Sequence, residues 1–215
     1  MRICALVLAV LLGLPWQAFA AVGCDLNDPD RDVARLFPGS TGFKTSYVSI
    51  KDKGADALLS RVEARLGDTF KGLYETIDVP YTIYEVLKGK EAVGHIHGVN
   101  QKGVYGGIQV FLALDLQGTI KALYFQKLTS RYAKALRDPK FGKQFEGLSL
   151  KDFQGYDVAS GKAVDSRVAS IKNPAPGAEK DFRSALRGVK KNLILMDEFV
   201  FAGERPKAPP AEKAK

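Results

Sequence analysis

The stretch that decides the fold runs from residue 81 to residue 128 and reads YTIYEVLKGKEAVGHIHGVNQKGVYGGIQVFLALDLQGTIKALYFQKL. Apolar and polar residues alternate through most of it, and β-branched and aromatic residues are frequent, which is typical of β-strands. Breaks that contain glycine supply the turns between strands. We therefore predict an antiparallel meander of four strands, at residues 81–87, 91–99, 107–115 and 119–127.

Further elements are predicted on both sides of this meander. Upstream, residues 42–50 (GFKTSYVSI) read as a strand, and residues 52–66 carry an apolar stripe at helical spacing that stops at Gly67. Downstream, residues 178–194 carry a second such stripe. Shorter elements complete the prediction: helical turns at 132–136 and from 138, a strand pair at 156–158 and 162–164, and an edge strand at 196–201. The sequence thus predicts an α+β fold, an antiparallel sheet meander with packing helices.

The two ends of the chain differ in composition from its centre. Arg2 is followed by an apolar run at 3–14 and by small residues at 18–20, so residues 1–20 are predicted to be a signal peptide of an exported, periplasmic protein. Residues 203–215 are rich in Pro, Ala and Lys, and we predict a disordered tail there. Between them, residues 21–79 are expected to form a helix and strand region packed on a core domain at 80–202.

The charge pattern bears on the kind of partner. The formal net charge is +8 at pH 7, but Lys and Arg alternate with Asp and Glu along most of the 215 residues. We find no dense basic block with interleaved aromatic residues, which argues against nucleic acid as a partner. A dispersed basic surface suits docking to an acidic redox partner or to a membrane surface.

Cys24 is the only cysteine that remains once residues 1–20 are removed, so it cannot form an intramolecular disulfide. The segment Ala21-Val22-Gly23-Cys24 loosely resembles a lipoprotein box, in which Cys24 becomes the acylated N-terminus. The first position of such a box is usually Leu and here is Ala21. Two outcomes stay open, a soluble periplasmic protein and a lipoprotein that is membrane-associated through Cys24, and we favour soluble release.

Two groups of polar residues raise the question of a metal site. His95 and His97 are two apart on a predicted strand and therefore face the same side, as a paired imidazole site would require. No third ligand is spaced to complete such a site. We favour the alternative that both lie on the wetter face of the sheet, one of them hydrogen-bonded to a turn at 100–101. The acidic run at 25–32 is better explained as a helix start capped by Asp28 than as a calcium loop, so we predict no metal site.

The turn Tyr105-Gly106-Gly107 is the strongest candidate for a ligand-binding element. Adjacent glycines let the backbone approach a ligand closely because no Cβ intervenes. The tyrosine ring before them could stack on a planar ligand. A β-bulge or a wide hairpin explains the same residues, and the pattern alone does not separate the two readings.

The segment from Gly103 to Ile120 resembles the core of the FMN-binding domain family, whose members include periplasmic flavin subunits of ion-translocating electron-transport complexes. The shared pattern is a Gly-Tyr-Gly-Gly-like turn, a hydrophobic strand, an acidic-Gly hairpin and another strand. Residues 138–147 resemble the segment that follows the flavin-contacting loop of that family. The resemblance implies an FMN-binding-like domain at 80–202, a flavoprotein function in electron transport, and FMN at the Tyr105 turn.

Two motifs of that family are largely absent. A Glu-Thr-Pro-Gly-like loop aligns with residues 128–131, where only Thr129 matches. The Ser-Gly-Ala-Thr motif, whose Thr carries FMN as a phosphate ester in many members, is missing, and its acceptor position falls on Ile171 or Lys172. The resemblance therefore implies noncovalent FMN. The candidate cofactor contacts are Tyr105, Gly106, Gly107, Thr129, Ser130, Ser166 and Ser170.

Two functions are consistent with this sequence, of which we favour the first, and no catalytic residue is predicted for either. In the first, the protein is an exported electron-transfer module that binds FMN noncovalently and exchanges electrons with periplasmic or membrane redox proteins. In the second, the fold has lost its cofactor and serves as an interaction or assembly module of a redox complex. The predicted helix at 178–194 bears on the choice, because Glu179 and Asp181 in its first turn disfavour a phosphate at its N-terminus.

Overall fold

A computed structural model describes residues 23–202, so the predicted signal peptide and tail lie outside the described residues. Five strands form one antiparallel sheet in chain order, which confirms the α+β class and the predicted meander. The strands are β1 (Gly42–Val48), β2 (Tyr81–Lys88), β3 (Glu91–Lys102), β4 (Gly107–Leu114) and β5 (Ile120–Leu128). The helices are α1 (Pro29–Leu36), α2 (Ala55–Leu66), α3 (Ala133–Leu136), α4 (Pro139–Lys143), α5 (Leu150–Phe153), α6 (Ser166–Ala169) and α7 (Glu179–Met196).

The hairpins follow from local turn chemistry. Between β4 and β5, the carboxylate of Asp115 accepts hydrogen bonds from the backbone N–H groups of Gln117 (3.0 Å) and Thr119 (2.8 Å). Gly118 in the same turn has a φ of +79°, a left-handed conformation that glycine adopts without steric cost. The register that results pairs Phe111 with Tyr124 across the two strands.

The sheet is covered on both faces, which explains why β4 is buried along its whole length. On one face, Val99 and Val110 belong to a large core that also contains the apolar stripes of α2 and α7. On the other face, Phe111 and Ile96 belong to a smaller core formed with α1 and the segment before it. Burial on both faces turns the expected alternation of β4 into a continuous apolar run, as in other strands covered on both sides.

The helix termini agree with the signals in the sequence. Asp28 caps α1 by accepting a hydrogen bond from the backbone N–H of Arg31 (3.2 Å), and Pro29 takes the first helical position. Gly67 ends α2 in a left-handed conformation with φ +75°. None of the helices in the described part of the chain is long and apolar enough to cross a membrane.

Three predicted strands are wrong, the edge strand at 196–201 and the strand pair at 156–158 and 162–164. Residues 197–201 continue α7 as a π-helical turn that packs Phe199 and Phe201 onto the sheet. The apolar run that suggested an edge strand is thus one helical face, because short apolar runs do not distinguish the two structures. Residues 156–164 form a turn rather than a strand pair, closed by backbone bonds from Asp157 N–H to the carbonyl of Lys162 and from Gly161 N–H to the carbonyl of Asp157 (2.7 Å each).

The expectation for the histidines is also wrong. Both lie on β3 against the π-helical turn, and His97 is 0% exposed rather than on a wet face. Residues 100–101, expected to form a turn, continue β3. Within residues 23–202 no group of three or more His, Cys, Asp or Glu side chains could hold a metal ion.

The neighbours of His97 fix its tautomer. The side-chain amide of Asn192 donates to the backbone carbonyls of His97 (2.8 Å) and Val110 (3.1 Å), so its Oδ1 must accept from His97 Nδ1 (2.9 Å). The other ring nitrogen, Nε2, has no hydrogen-bond partner among residues 23–202, and the rings of Tyr81 and Phe199 pack against the imidazole. Burial lowers the pKa of His97 to about 4, with the hydrogen bond to Asn192 acting in the opposite direction.

This histidine should make stability depend on pH. Because the pKa of His97 is lower in the folded state than in the unfolded state, the unfolded chain binds the proton more readily. Stability should therefore fall as pH decreases from about 6.5 to about 4, by about 3 kcal/mol from this group. Urea unfolding at pH 7 and pH 4 measures the loss.

The matched variant is His97→Gln, which keeps a donor for Asn192 but does not titrate. We expect its free energy of unfolding to fall by about 3 kcal/mol less than that of the unsubstituted chain over the same interval. An equal loss in both proteins would show that His97 is not the buried neutral group described here.

Candidate functional site

The turn between β3 and β4 carries the predicted ligand-binding residues. Its backbone is closed by a bond from Gly103 N–H to the carbonyl of Gly106 (2.8 Å). Gly106 has a φ of +151°, a conformation that L side chains rarely adopt. The backbone N–H of Thr129 donates to the carbonyl of Gly107 (3.1 Å), so the loop after β5 lies beside the turn. The structure thus brings Tyr105, Gly106, Gly107 and Thr129 together.

The N-terminus of α7 docks on the same turn. The carboxylate of Asp181, 2% exposed, accepts a hydrogen bond from the backbone N–H of Val104 (2.7 Å). A buried carboxylate bound to a backbone N–H is a charge-assisted contact that holds two elements in one orientation. The acidic residue expected to disfavour a phosphate therefore has a structural role, which is to anchor the turn to the helix.

A cavity of about 320 Å³ lies between the turn and the start of α7. Tyr105 and Tyr132 line it, together with Glu179, Lys180 and Asp181 at the start of α7. Two aromatic rings beside charged groups are suited to a planar or aromatic group that presents polar atoms at its edge.

The space directly over the two glycines is filled by the protein itself. A Cβ placed on Gly106 would lie 3.0 Å from Thr129 Cγ2, and one placed on Gly107 would lie 3.2 Å from Tyr74 Cε1. The guanidinium of Arg131 lies over the Tyr105 ring, with 4.9 Å between its carbon and the ring centroid. The close approach that the glycines permit is therefore used by side chains of this chain.

The remaining hydroxyl candidates lie apart from the turn or are engaged locally. Ser130 Oγ accepts from the backbone N–H of Tyr132 (3.1 Å). Ser166 opens α6 and is exposed, and Ser170 Oγ donates to the carbonyl of Arg167 (2.8 Å). Neither Ser166 nor Ser170 lines the cavity at Tyr105. Their sequence proximity to the expected phosphate acceptor does not place them at the site.

The residues present do not fit the phosphate of FMN in the position implied by the resemblance. Ile171, at the acceptor position, is a buried core residue. The ring and hydroxyl of Tyr132 lie against Gly177 just before α7, and Glu179 is engaged with the Asn173 side chain (3.2 Å). A dianion there would meet the carboxylates of Glu179 and Asp181, which disfavour it.

A buried ionic network that we did not predict from the sequence links α7 to β3 and to the segment before β2. Lys191 on α7 is 0% exposed, and its Nζ donates to Glu75 Oε1 (2.6 Å) and to the carbonyl of Asn100 on β3 (2.5 Å). One helical turn earlier, Arg187 donates to the same carboxylate (2.6 Å) and to the side chain of Gln101 (2.8 Å). The spacing of four between the two basic residues, beside an apolar stripe, was the available signal.

The protonation of the network follows from burial and pairing. Burial lowers the pKa of Lys191 to about 8, and the attraction of Glu75 opposes that shift. Burial would raise the pKa of Glu75, but Lys191 and Arg187 together outweigh it and hold that pKa below its ordinary value. Glu75 is therefore ionised at neutral pH. The ring of the adjacent Tyr74 lies against Gly107.

Cys24 lies on the opposite face of the sheet. Its side chain is 3% exposed and packs against Gly98, where an added Cβ would lie 2.8 Å from Sγ. Burial raises the pKa of this thiol. Acylation of Cys24 would require its side chain to leave this core.

Comparisons with known proteins do not extend the resemblance. The chain matches no known protein family, and a search of curated proteins finds no match. The resemblance to the FMN-binding domain family therefore depends only on the residues quoted for it.

Proposed function

We propose that this protein is an exported, cofactor-free counterpart of the FMN-binding domain, and that it serves as an interaction module of a periplasmic or membrane redox complex. The observation that supports this function best is the filling of the Tyr105 turn. Thr129 and Tyr74 pack against Gly106 and Gly107, and Arg131 stacks on the Tyr105 ring. A turn whose glycines contact side chains of the same chain is held rigid, and this suits a contact surface better than a cofactor site.

The contact surface is the tip of the turn. Val104 and Tyr105 are each about half exposed, at 49% and 47%, and Arg131 stacks on Tyr105 beside them. Tyr and Arg are the residues that most often dominate the energy of protein interfaces. Exposed Lys102, Lys180 and Arg131 lie at or beside the tip and outnumber the exposed Glu179, so an acidic partner surface is the better match.

A second candidate function is noncovalent binding of a planar ligand such as FMN. The observation in its favour is the cavity of about 320 Å³ between Tyr105 and Tyr132. FMN, when bound, supplies one- and two-electron transfer, and the residues here would contribute ring stacking and exclusion of water. For the ring to reach Tyr105 from the side on which Arg131 stacks, Arg131 would have to move away.

FMN binding separates the two candidates. We expect protein purified from a flavin-replete exporting host to be colourless, and equilibrium dialysis against about 100 µM FMN to show no retained flavin, because the turn is filled. A yellow protein, or one that retains one FMN per chain, would contradict the cofactor-free function.

The interaction function has its own test. In the native host, crosslinking followed by mass spectrometry should recover redox proteins with the unsubstituted chain. The double variant Tyr105→Ala, Arg131→Glu should recover at least about tenfold less of these proteins than the unsubstituted chain, because both residues expected to dominate the contact are removed.

The control is Val164→Ala, a change at a side chain that is 87% exposed on a different loop. Its recovery of partners should equal that of the unsubstituted chain. If the double variant retained the same partners at the same level, the turn would not be the interaction surface.

A further inference from the structure

The two edge strands of the sheet, β1 and β5, differ in how far other parts of the chain bond to their outer backbone groups. At β5, Arg137 donates to the backbone carbonyls of Phe125 (3.2 Å) and Gln126 (3.0 Å). At the start of the same strand, both backbone groups of Ile120 are engaged, with the carbonyl of Leu148 and the N–H of Gly147 (2.8 Å each). The β5 edge is therefore covered, which is a common protection against pairing with another chain.

The edge at β1 has no comparable hydrogen-bonded cover in the part of the chain that the structure describes. Within residues 23–202, β1 pairs with β2 alone, in a continuous register without a bulge. Four consecutive residues, 44–47, are exposed, and Tyr47 is 67% exposed. The strand contains no proline, and its single charged side chain, Lys44, is paired with Glu85 on β2 (3.2 Å). A regular strand of this kind presents unpaired N–H and C=O groups to a partner.

The sequence of β1 is complementary to itself in the antiparallel direction. A twofold axis through Thr45, the central residue, pairs all seven positions of the strand. It sets Phe43 opposite the second copy's Tyr47, an aromatic pair, and Lys44 opposite a serine. Because Lys44 is already neutralised by Glu85, no unpaired like charges meet across the strands.

The alternative registers are less favourable. A twofold axis through Lys44 would place two lysines directly opposite each other, which is destabilising. A shift of the pairing by one residue would bring residues from opposite faces of the sheet together. The register centred on Thr45 therefore combines the largest number of pairs with the best charge arrangement.

We propose that the protein forms a homodimer in which β1 pairs antiparallel with β1 of a second copy, so that two five-stranded sheets join into one of ten strands. The interface is isologous, with the same strand used on both sides of a twofold axis. It lies on the outer edge of β1, whereas the Tyr105 turn joins β3 to β4. The dimer is thus independent of the interaction proposed at the turn.

Charge substitution at the axis provides the test. Thr45 is exposed and meets its own counterpart, so Thr45→Lys and Thr45→Glu each place like charges in contact across the axis. Sedimentation equilibrium at about 100 µM chain, which populates a dimer of micromolar affinity, should show a dimer for the unsubstituted protein. Each variant alone should dissociate at least about tenfold more readily, and an equimolar mixture of the two should recover the dimer.

The control is Ser60→Lys, which adds the same charge at an exposed position of α2 and should leave the dimer unchanged. Circular dichroism establishes that each variant is folded. A monomeric unsubstituted protein at this concentration would overturn the proposal, even if a variant failed to fold. Dimers of Thr45→Lys as stable as those of the unsubstituted chain would also overturn it, as would a mixture of the variants that stays monomeric.

Discussion

The burial of one lysine ammonium constrains the arrangement of this molecule more than any other contact. Lys191 is 0% exposed in the middle of α7, and a charged group in such a position is tolerated only when it is paired and hydrogen-bonded. Its partners come from two different parts of the chain, the carboxylate of Glu75 and the carbonyl of Asn100 on β3. Helix, sheet and the segment before β2 must therefore be in register for the charge to be satisfied.

The properties of the Tyr105 turn follow from that arrangement. Because Glu75 is fixed by Lys191 and Arg187, the preceding Tyr74 is held over Gly107. Because α7 is fixed along β3, Asp181 at its first turn reaches the backbone of Val104. The turn is thus packed by residues whose positions are set elsewhere, and this is the physical basis for proposing a contact surface in place of a flavin site.

The parts of the fold that depend on local signals could be predicted from the sequence. The meander, the cap at Asp28 and the stop at Gly67 each follow from periodicity or turn chemistry within a few residues. Residues 197–201 were missed because a short apolar run fits a strand as well as a helix. His97 was missed because its neighbours, Asn192 and Phe199, are distant in sequence.

The candidate site shows the same division between local and distant information. The glycine turn was identifiable because adjacent glycines are a local signal, and its proximity to Thr129 followed from the hairpin between β4 and β5. The side chains that pack against the turn could not be identified from the sequence, because the contacts of Tyr74 and Arg131 with it form only in the folded protein. The serines at 166 and 170 were included for their proximity in sequence to the expected acceptor, and the structure gives them local roles at α6.

The most direct measurement of the central claim is a double-mutant cycle between Glu75 and Lys191, using Glu75→Gln, Lys191→Met and the double variant, with free energies of unfolding from urea titration. If the buried pair holds α7 to the segment before β2, the two substitutions should be coupled by at least about 2 kcal/mol, with the double variant more stable than the sum of the single losses predicts. Effects that add to within about 0.5 kcal/mol would contradict the account, because the two groups would then not depend on each other.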